Sequence, residues 1–210
     1  NTLICCEYIT LSGTAEALER IGGIISELMI SGLPKFVWWK ATPTADYALF
    51  KRLANLSNTL ILDSSTFTYP EADLFSVGEL LKAGVAIADL NWRRLAPWQE
   101  LTAEAFDPPE RRAAIYEVDR VTIDYEKGNQ AQALMFLGWI ASRLQWTPVS
   151  YEVKGGDYDI RTIKFTANNQ QEVEAELAAM PTADWGDVAG DLISLRLSST
   201  NLKADCCTVL

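Results

Sequence analysis

The sequence contains no histidine among its 210 residues. Histidine is the commonest general acid–base residue and a frequent metal ligand, so its absence excludes Ser-His-Asp triads and His-ligated metal centres. Any chemistry would have to use carboxylate, lysine, tyrosine or cysteine side chains, and these form only weak constellations along the chain. We therefore predict a protein that is not an enzyme and that holds no metal and no cofactor.

Basic residues are also scarce, because 18 Lys and Arg stand against 28 Asp and Glu, for a net charge of −10. Phosphate backbones and anionic lipid surfaces are poor partners for such a chain. No apolar run approaches the roughly 18 residues that a membrane span needs, and residues 1–11 lack the pattern of a signal peptide. These features predict a soluble, cytoplasmic protein without nucleic-acid or membrane partners.

Only four cysteines are present, in two adjacent pairs: Cys5 and Cys6, and Cys206 and Cys207. This spacing differs from that of zinc knuckles and of thioredoxin-type redox motifs. Neighbouring residues of a strand face opposite ways, so a pair within a strand cannot easily share a metal or close a bridge. The pattern favours reduced thiols that act as small buried hydrophobes, and a redox role is the alternative.

The first half of the chain alternates strand-like apolar runs with amphipathic stretches, which predicts βαβ crossovers on an open, largely parallel sheet with flanking helices. Both ends of the chain lie in strand-like runs, 3–9 and 206–210, so we expect a piece of a longer protein. The spacing predicts further strands at 35–40 and 59–63. It predicts helices at 15–31, from Thr42 and Pro43 to Leu56, at 70–83, and at 89–105 with a break at Pro97.

The most linker-like stretch is Asp107-Pro108-Pro109-Glu110-Arg111-Arg112, within residues 106–113. We place a boundary there and predict an α/β domain at 1–108, incomplete at its N-terminus, and an α+β domain at 109–210. The second domain should hold an extended segment at 115–125 and a helix at 129–144. Short strands at 149–154, 158–166, 172–178, 191–198 and 205–210 predict a smaller antiparallel sheet that this helix covers.

Two segments invite a ligand-binding interpretation. Ser12, Gly13 and Thr14 precede a predicted helix, where main-chain amides favour an anion, although an ordinary capping turn explains the same residues. Asp63 and Ser64 follow a predicted parallel strand, at the edge where open α/β sheets place their ligands. Both segments suit a small-ligand or sugar-phosphate-binding protein, which is the alternative function.

The densest cluster of interaction-type residues is the segment 88–100, with Trp92, Arg93, Arg94 and Trp98. Trp and Arg dominate the energetics of protein interfaces, so these four side chains are candidates for partner binding. The alternative is structural, with the tryptophans anchoring a helix and the arginines paired to nearby carboxylates. The adjacent Trp38 and Trp39 favour a central strand that helices cover on both faces, and cover by another protein is the alternative.

The segment Asp89-Leu90-Asn91-Trp92-Arg93-Arg94-Leu95-Ala96-Pro97-Trp98 closely resembles the signature of the OpcA family, the glucose-6-phosphate dehydrogenase assembly proteins of cyanobacteria and actinobacteria. Three further segments match this family in the same order: residues 34–39 with the tryptophan pair, residues 62–64 with Asp-Ser, and the helix at 133–144. The resemblance covers residues 1–150 well and the later strands more loosely.

This resemblance implies a non-catalytic protein of the pentose phosphate pathway that binds the dehydrogenase oligomer, promotes its assembly and acts as an allosteric activator. It also implies redox regulation through thioredoxin in cyanobacterial members, although it does not assign the regulatory thiols to Cys5, Cys6, Cys206 or Cys207. It carries over no catalytic residue.

Overall fold

The structure is a computed structural model that describes residues 8–44, 46–181, 188–201 and 207–209. The described residues form two sheets with separate hydrophobic cores. None of the helices in these ranges has the length and apolar character to cross a bilayer. The protein is therefore broadly α/β, with one parallel sheet and one mixed sheet.

The first sheet is parallel and has three strands in the order β1 (Phe36–Trp38), β2 (Thr59–Leu62) and β3 (Ile87–Asp89). The connections between the strands contain α2 (Ala48–Leu56) and α3 (Pro70–Lys82), and α1 (Ala15–Leu28) precedes the sheet and packs on α2. Proline at the start of α3 suits a position whose amide needs no partner. Phe50, Leu60 and Leu62 are buried in the core of this sheet.

Two short helices lead from the first sheet to the second. They are α4 (Leu90–Arg94) and α5 (Ala96–Phe106), and the predicted break between them lies at Leu95, two residues before Pro97. Leu95 is fully buried in the core of the second sheet, although α4 starts directly from β3. This turn thereby connects the two cores.

The second sheet has six strands in the order β5-β6-β7-β4-β8-β9. Their bounds are β4 Arg120–Glu126, β5 Thr147–Gly155, β6 Ile160–Thr166, β7 Glu172–Met180, β8 Leu192–Ser198 and β9 Cys207–Val209. Helix α6 (Ala131–Arg143) lies on one face and buries Phe136 and Ile140 against Ile123, Leu177 and Leu195. Alternate residues of β4 are buried, as the period of a strand with one covered face requires.

The prediction of a smaller, antiparallel second sheet is wrong in two respects. Among the described residues this sheet is the larger of the two, and β4 pairs with β7 in parallel over seven residues. The chain leaves β4 through α6 and the β5–β6 hairpin before it returns as β7, and this crossover gives the two strands the same direction. Alternating polarity indicates which face of a strand is buried, but it does not indicate the direction of its neighbours.

Three further predictions need correction. Helix α2 begins at Ala48 rather than at Pro43, and a turn closed by the bond from the Tyr47 amide to the Thr44 oxygen precedes it. Strand β3 was not predicted. Trp38 is 56% exposed on an edge strand of the described sheet, so β1 is not covered on both faces. The strand predicted at 3–9 falls largely outside the described residues, and Tyr8 and Ile9 are not in a strand.

Candidate functional site

The carboxyl edge of the first sheet brings together the polar residues that follow β2 and β3. Because the two strands are parallel and Leu62 pairs with Asp89, the side chains of Asp63 and Asp89 lie at the same edge. A turn of 3-10 helix, Ser64–Thr66, continues from β2, and α4 continues from β3. This edge is where open α/β sheets usually place a ligand.

Asp63 is paired with Arg94 at this edge. The two terminal nitrogens of the guanidinium donate to the two carboxylate oxygens, each at 2.8 Å, in the planar bidentate geometry that arginine favours. The hydrogen bonds from Arg94 hold the pKa of the Asp63 carboxyl below its ordinary value, against the opposing effect of burial. Pairing with Arg94 therefore favours the ionised form of Asp63.

The second carboxylate, Asp89, is also used internally. Its Oδ1 accepts the main-chain amides of Ser64 at 3.0 Å and of Asn91 at 2.9 Å. The Asn91 amide group then donates to the Ser64 hydroxyl at 3.1 Å, and both residues are buried. The edge is thus held together by hydrogen bonds to the Asp89 carboxylate and between Asn91 and Ser64, beside the Asp63–Arg94 ion pair.

The start of α6 completes this network from the side of the second sheet. Gln132 Nε2 donates to Asn91 Oδ1 at 2.9 Å, and Gln132 Oε1 accepts the amide of Leu192 at 2.9 Å. Asn129 Nδ2 donates to the main-chain oxygens of Ser64 and Phe67 at 3.0 and 2.9 Å. These carboxamides join the two sheets. We call the set formed by Ser64, Asn91, Asn129 and Gln132 the amide joint.

A close main-chain approach fixes one side of the amide joint. Gly190 has φ +84°, and a Cβ at this position would lie 1.7 Å from the main-chain oxygen of Asn129. Only glycine allows this contact without displacement of the backbone. The segment before β8 therefore contacts the main chain at Asn129, immediately before α6.

A second polar contact between the two halves centres on Glu71, in the first turn of α3. Its carboxylate accepts from Gln130 Nε2 at 2.6 Å, from Arg161 Nε at 3.1 Å and from the Tyr151 hydroxyl. Burial opposes ionisation of Glu71, but these donors hold its pKa below the ordinary value. Burial, together with the contact with Glu71, raises the pKa of Tyr151.

The four candidate partner-binding residues divide into two pairs. Arg94 is bound to Asp63, and Trp98 packs against the second core with its ring centroid 6.2 Å from that of Phe136. Trp92 is 41% exposed and Arg93 is exposed. The second pair is therefore the exposed one.

The remaining candidate residues lie elsewhere. Ser12, Gly13 and Thr14 are exposed, and the Thr14 hydroxyl caps α1 by accepting the Ala17 amide at 3.3 Å. Cys5, Cys6 and Cys206 fall outside the described residues, and Cys207 pairs with Leu197 in the register of β9 and β8. Among the described residues no three His, Cys, Asp or Glu side chains are grouped closely enough to hold a metal ion.

Sequence reasoning missed the amide joint. Asn91 lies in the segment 88–100, which we call the Trp/Arg cluster, and Asn129 and Gln132 lie within the predicted helix at 129–144. The available signal was the run Asn129-Gln130-Ala131-Gln132 at the start of an otherwise apolar helix, because buried carboxamides require partners. The identity of those partners depends on how the two halves pack, which the sequence pattern does not reveal.

Comparison with known families covers almost the whole chain. Residues 1–79 match the family described as the glucose-6-phosphate dehydrogenase subunit N-terminal domain, and residues 85–203 match the corresponding C-terminal domain. The chain belongs to the OpcA family. The Trp/Arg cluster and the amide-joint residues 91, 129 and 132 fall within the second match.

Curated relatives of the OpcA family agree with this assignment. The chain is 68% identical to the OpcA protein of Nostoc punctiforme and 65% identical to that of Synechocystis, in each case over all 210 residues. Those 210 residues correspond to 45% and 44% of the two relatives, so the chain spans less than half of their length.

The fold itself is shared with dehydrogenases. An oxidoreductase from Sinorhizobium meliloti matches with a TM-score of 0.55 at 16% identity, over 87% of this chain and 54% of that one. The apo scyllo-inositol dehydrogenase of Lactobacillus casei matches with a TM-score of 0.54 at 8% identity, over 91% and 59%. At these identities the likeness concerns the fold alone.

Proposed function

We propose that this chain is the part of a non-catalytic assembly factor that binds glucose-6-phosphate dehydrogenase and promotes its active oligomer. The observation that carries the proposal is the pair of family matches, whose descriptions name that dehydrogenase and which together span residues 1–79 and 85–203. The identity of 68% with a cyanobacterial OpcA protein supports the same role.

The carboxyl edge of the first sheet supports a binding role over a catalytic one. A catalytic group must be able to exchange a proton or attack a substrate, whereas Asp63 and Asp89 are occupied by bonds within the protein. The proposed role as a small-ligand site at Asp63 and Ser64 would require the Arg94 pair to open. The segment Ser12–Thr14 is used as a helix cap.

The mechanism we propose is allosteric activation through a shift of population. A protein that binds one conformation of an oligomer more tightly than another moves the equilibrium towards the preferred state. A tenfold difference in affinity corresponds to about 1.4 kcal/mol. Of the four candidate contacts, we expect Trp92 and Arg93 to touch the partner, because their side chains are exposed in the folded chain.

Thiol control is part of the proposal. Oxidation or reduction of cysteines by a thioredoxin would change the affinity for the dehydrogenase, in the cytoplasm where both proteins would meet. The four cysteines 5, 6, 206 and 207 are the residues of this chain that would take part. Replacing all four with serine should leave binding unchanged by oxidant or reductant, whereas the wild-type chain should respond.

Mixing the chain with cyanobacterial glucose-6-phosphate dehydrogenase tests the proposal directly. We expect co-elution on a sizing column, a larger native mass of the dehydrogenase oligomer and a change in its kinetics. Bovine serum albumin at the same concentration is the control for crowding. If the two proteins elute separately and the dehydrogenase kinetics stay the same, the proposed function is wrong.

A further inference from the structure

Helix α6 is apolar over most of its circumference: its 13 residues include the polar Gln132 and Ser142, and the only charged one is Arg143, in the last turn. Helices of this kind are normally covered on all sides. One side of α6 is covered by the second sheet. The residues of the opposite side are partly buried or exposed and carry no charge: Leu134, Met135, Gly138, Trp139 and the polar Ser142. Within the described residues, this side lacks full cover.

Two apolar grooves flank this side of α6. The first, about 430 Å³, lies between α6 and α3 and is lined by Ile87 and Trp92 as well as by both helices. The second, about 420 Å³, lies between α6 and the edge strand β5, where Val149 and Tyr151 line it. Leu134 borders both grooves. The uncovered side of α6 and its two grooves therefore form one continuous surface, which we call the α6 face.

Some charged side chains around the α6 face have hydrogen-bond partners within the protein, and others do not. Asp89 and Glu71 accept hydrogen bonds from within the protein. Glu152 alternates with Tyr151 along β5, so it lies on the face of the strand turned away from α6. Arg93 and Arg143 are exposed and have no hydrogen-bond or ion-pair partner among the described residues. In a chain of net charge −10, the free charge beside this surface is positive.

We propose that glucose-6-phosphate dehydrogenase docks on the α6 face through an apolar segment flanked by Asp or Glu side chains. This inference rests on the proposed function. The apolar segment would fill the grooves beside Trp92, a residue type that dominates interface energies, and its carboxylates would pair with Arg93 and Arg143. A second copy of this chain fits less well, because a twofold interface would bring the same arginines towards each other.

Gly138 offers a way to block the α6 face without disturbing the fold. It lies on the exposed side of α6, and a Cβ added there meets no atom within 4 Å. Gly138→Glu therefore places a carboxylate at the centre of the proposed contact while it improves helix propensity. Arg93→Glu reverses the charge at one end. Gly138→Ala, and Leu101→Glu on an exposed position of α5, are the matched controls.

Binding to cyanobacterial glucose-6-phosphate dehydrogenase is measured by calorimetry, and thermal unfolding checks that each variant is folded. We expect Gly138→Glu and Arg93→Glu to weaken binding at least tenfold, and the two controls to stay within about twofold of wild type. Equal affinity of all variants would overturn the docking site and leave the proposed function intact. If the wild-type chain does not bind at all, the proposed function fails.

Two measurements without the dehydrogenase cover the other possible occupants. A native mass of two chains that Gly138→Glu reduces to one would assign the α6 face to self-association. The same substitution is made in the longer OpcA protein of Nostoc punctiforme at the matching position. If it lowers the unfolding temperature there but not in the 210-residue chain, the remaining polypeptide of that relative covers the face. Either result would overturn the docking proposal.

Discussion

The Arg94–Asp63 ion pair should contribute measurably to stability, whereas the neighbouring Arg93 should not. The side chains of Arg94 and Asp63 are 33% and 17% exposed, and two hydrogen bonds of 2.8 Å join them. Hydrogen bonds to charged groups contribute about 1.5–3 kcal/mol, and fully exposed ion pairs contribute less than about 1 kcal/mol. Partial exposure places this pair between those limits, so we expect a coupling energy of about 2 kcal/mol.

A double-mutant cycle with Arg94→Ala and Asp63→Ala measures this coupling. Asp63 also accepts the amide and hydroxyl of Ser65, but those bonds are lost in both Asp63 variants and cancel in the cycle. For a chain of this length, about 2 kcal/mol corresponds to a fall in unfolding temperature of roughly 4–8 °C. Tryptophan fluorescence during thermal unfolding gives the unfolding free energies of the four proteins in the cycle.

The control is Arg93→Ala, which removes the same side chain one position earlier from an exposed site. We expect its unfolding free energy to change by less than about 0.5 kcal/mol. A coupling energy below about 0.5 kcal/mol for Arg94 and Asp63, or an equal loss in Arg93→Ala, would refute the argument that the pair stabilises the carboxyl edge.

Three further predictions follow from particular residues. The pKa of Asp63 is lower in the folded chain than in the unfolded one, so its contribution to the unfolding free energy is complete above pH about 4 and is lost as pH falls through the depressed pKa. The unfolding free energy should therefore fall less steeply with acid in Arg94→Ala than in the wild type. Parallel curves for the two proteins would contradict this. Gly190→Ala should destabilise the chain by more than about 2 kcal/mol, because φ at this position is positive and the new Cβ meets a main-chain oxygen. Gly138→Ala should instead stabilise α6 by up to about 1 kcal/mol, because its Cβ meets no atom. Chemical denaturation of both variants checks that the two changes in unfolding free energy have opposite signs. Leu95→Ala should cost about 2–5 kcal/mol in the same assay because Leu95 is fully buried, and a loss as small as that of the exposed Leu101→Ala would show that Leu95 does not anchor the second core.

The elements of the fold were largely accessible from the sequence, because each is encoded locally. The apolar spacing of Leu18, Ile21 and Ile25 predicts α1, and the alternation of Val121, Ile123 and Tyr125 predicts β4. The direction of β7 relative to β4 was not accessible, because it depends on a long crossover. The three-residue strand β3 was missed because it is too short to show a period: Ile87 and Ala88 fell between two predicted helices, and Asp89 was taken as the start of the second.

The candidate site was accessible in part. The sequence identified the segment 88–100 as a candidate interaction site and left two interpretations of its residues open: contact with a partner protein, or pairing within the chain. In the structure Arg94 is bound to Asp63 and Trp98 packs against Phe136, whereas Trp92 and Arg93 are exposed, so partner contact by these two stays a prediction. Residues adjacent on a short helix face different directions, so the sequence could identify the cluster but could not divide it.

The amide joint has a consequence for how this protein responds to ionic strength. Most of its side-chain hydrogen bonds join buried carboxamides, a hydroxyl and main-chain groups, which are neutral, and among the described residues only the bond from Gln132 to Asp191 is made to a carboxylate. Dissolved ions screen exposed charges over roughly 8–10 Å at physiological concentrations, but they have little effect on buried neutral groups. Salt should therefore weaken contacts made by exposed Arg93 while the two sheets stay joined, so added salt can release a bound partner without loosening the protein that held it.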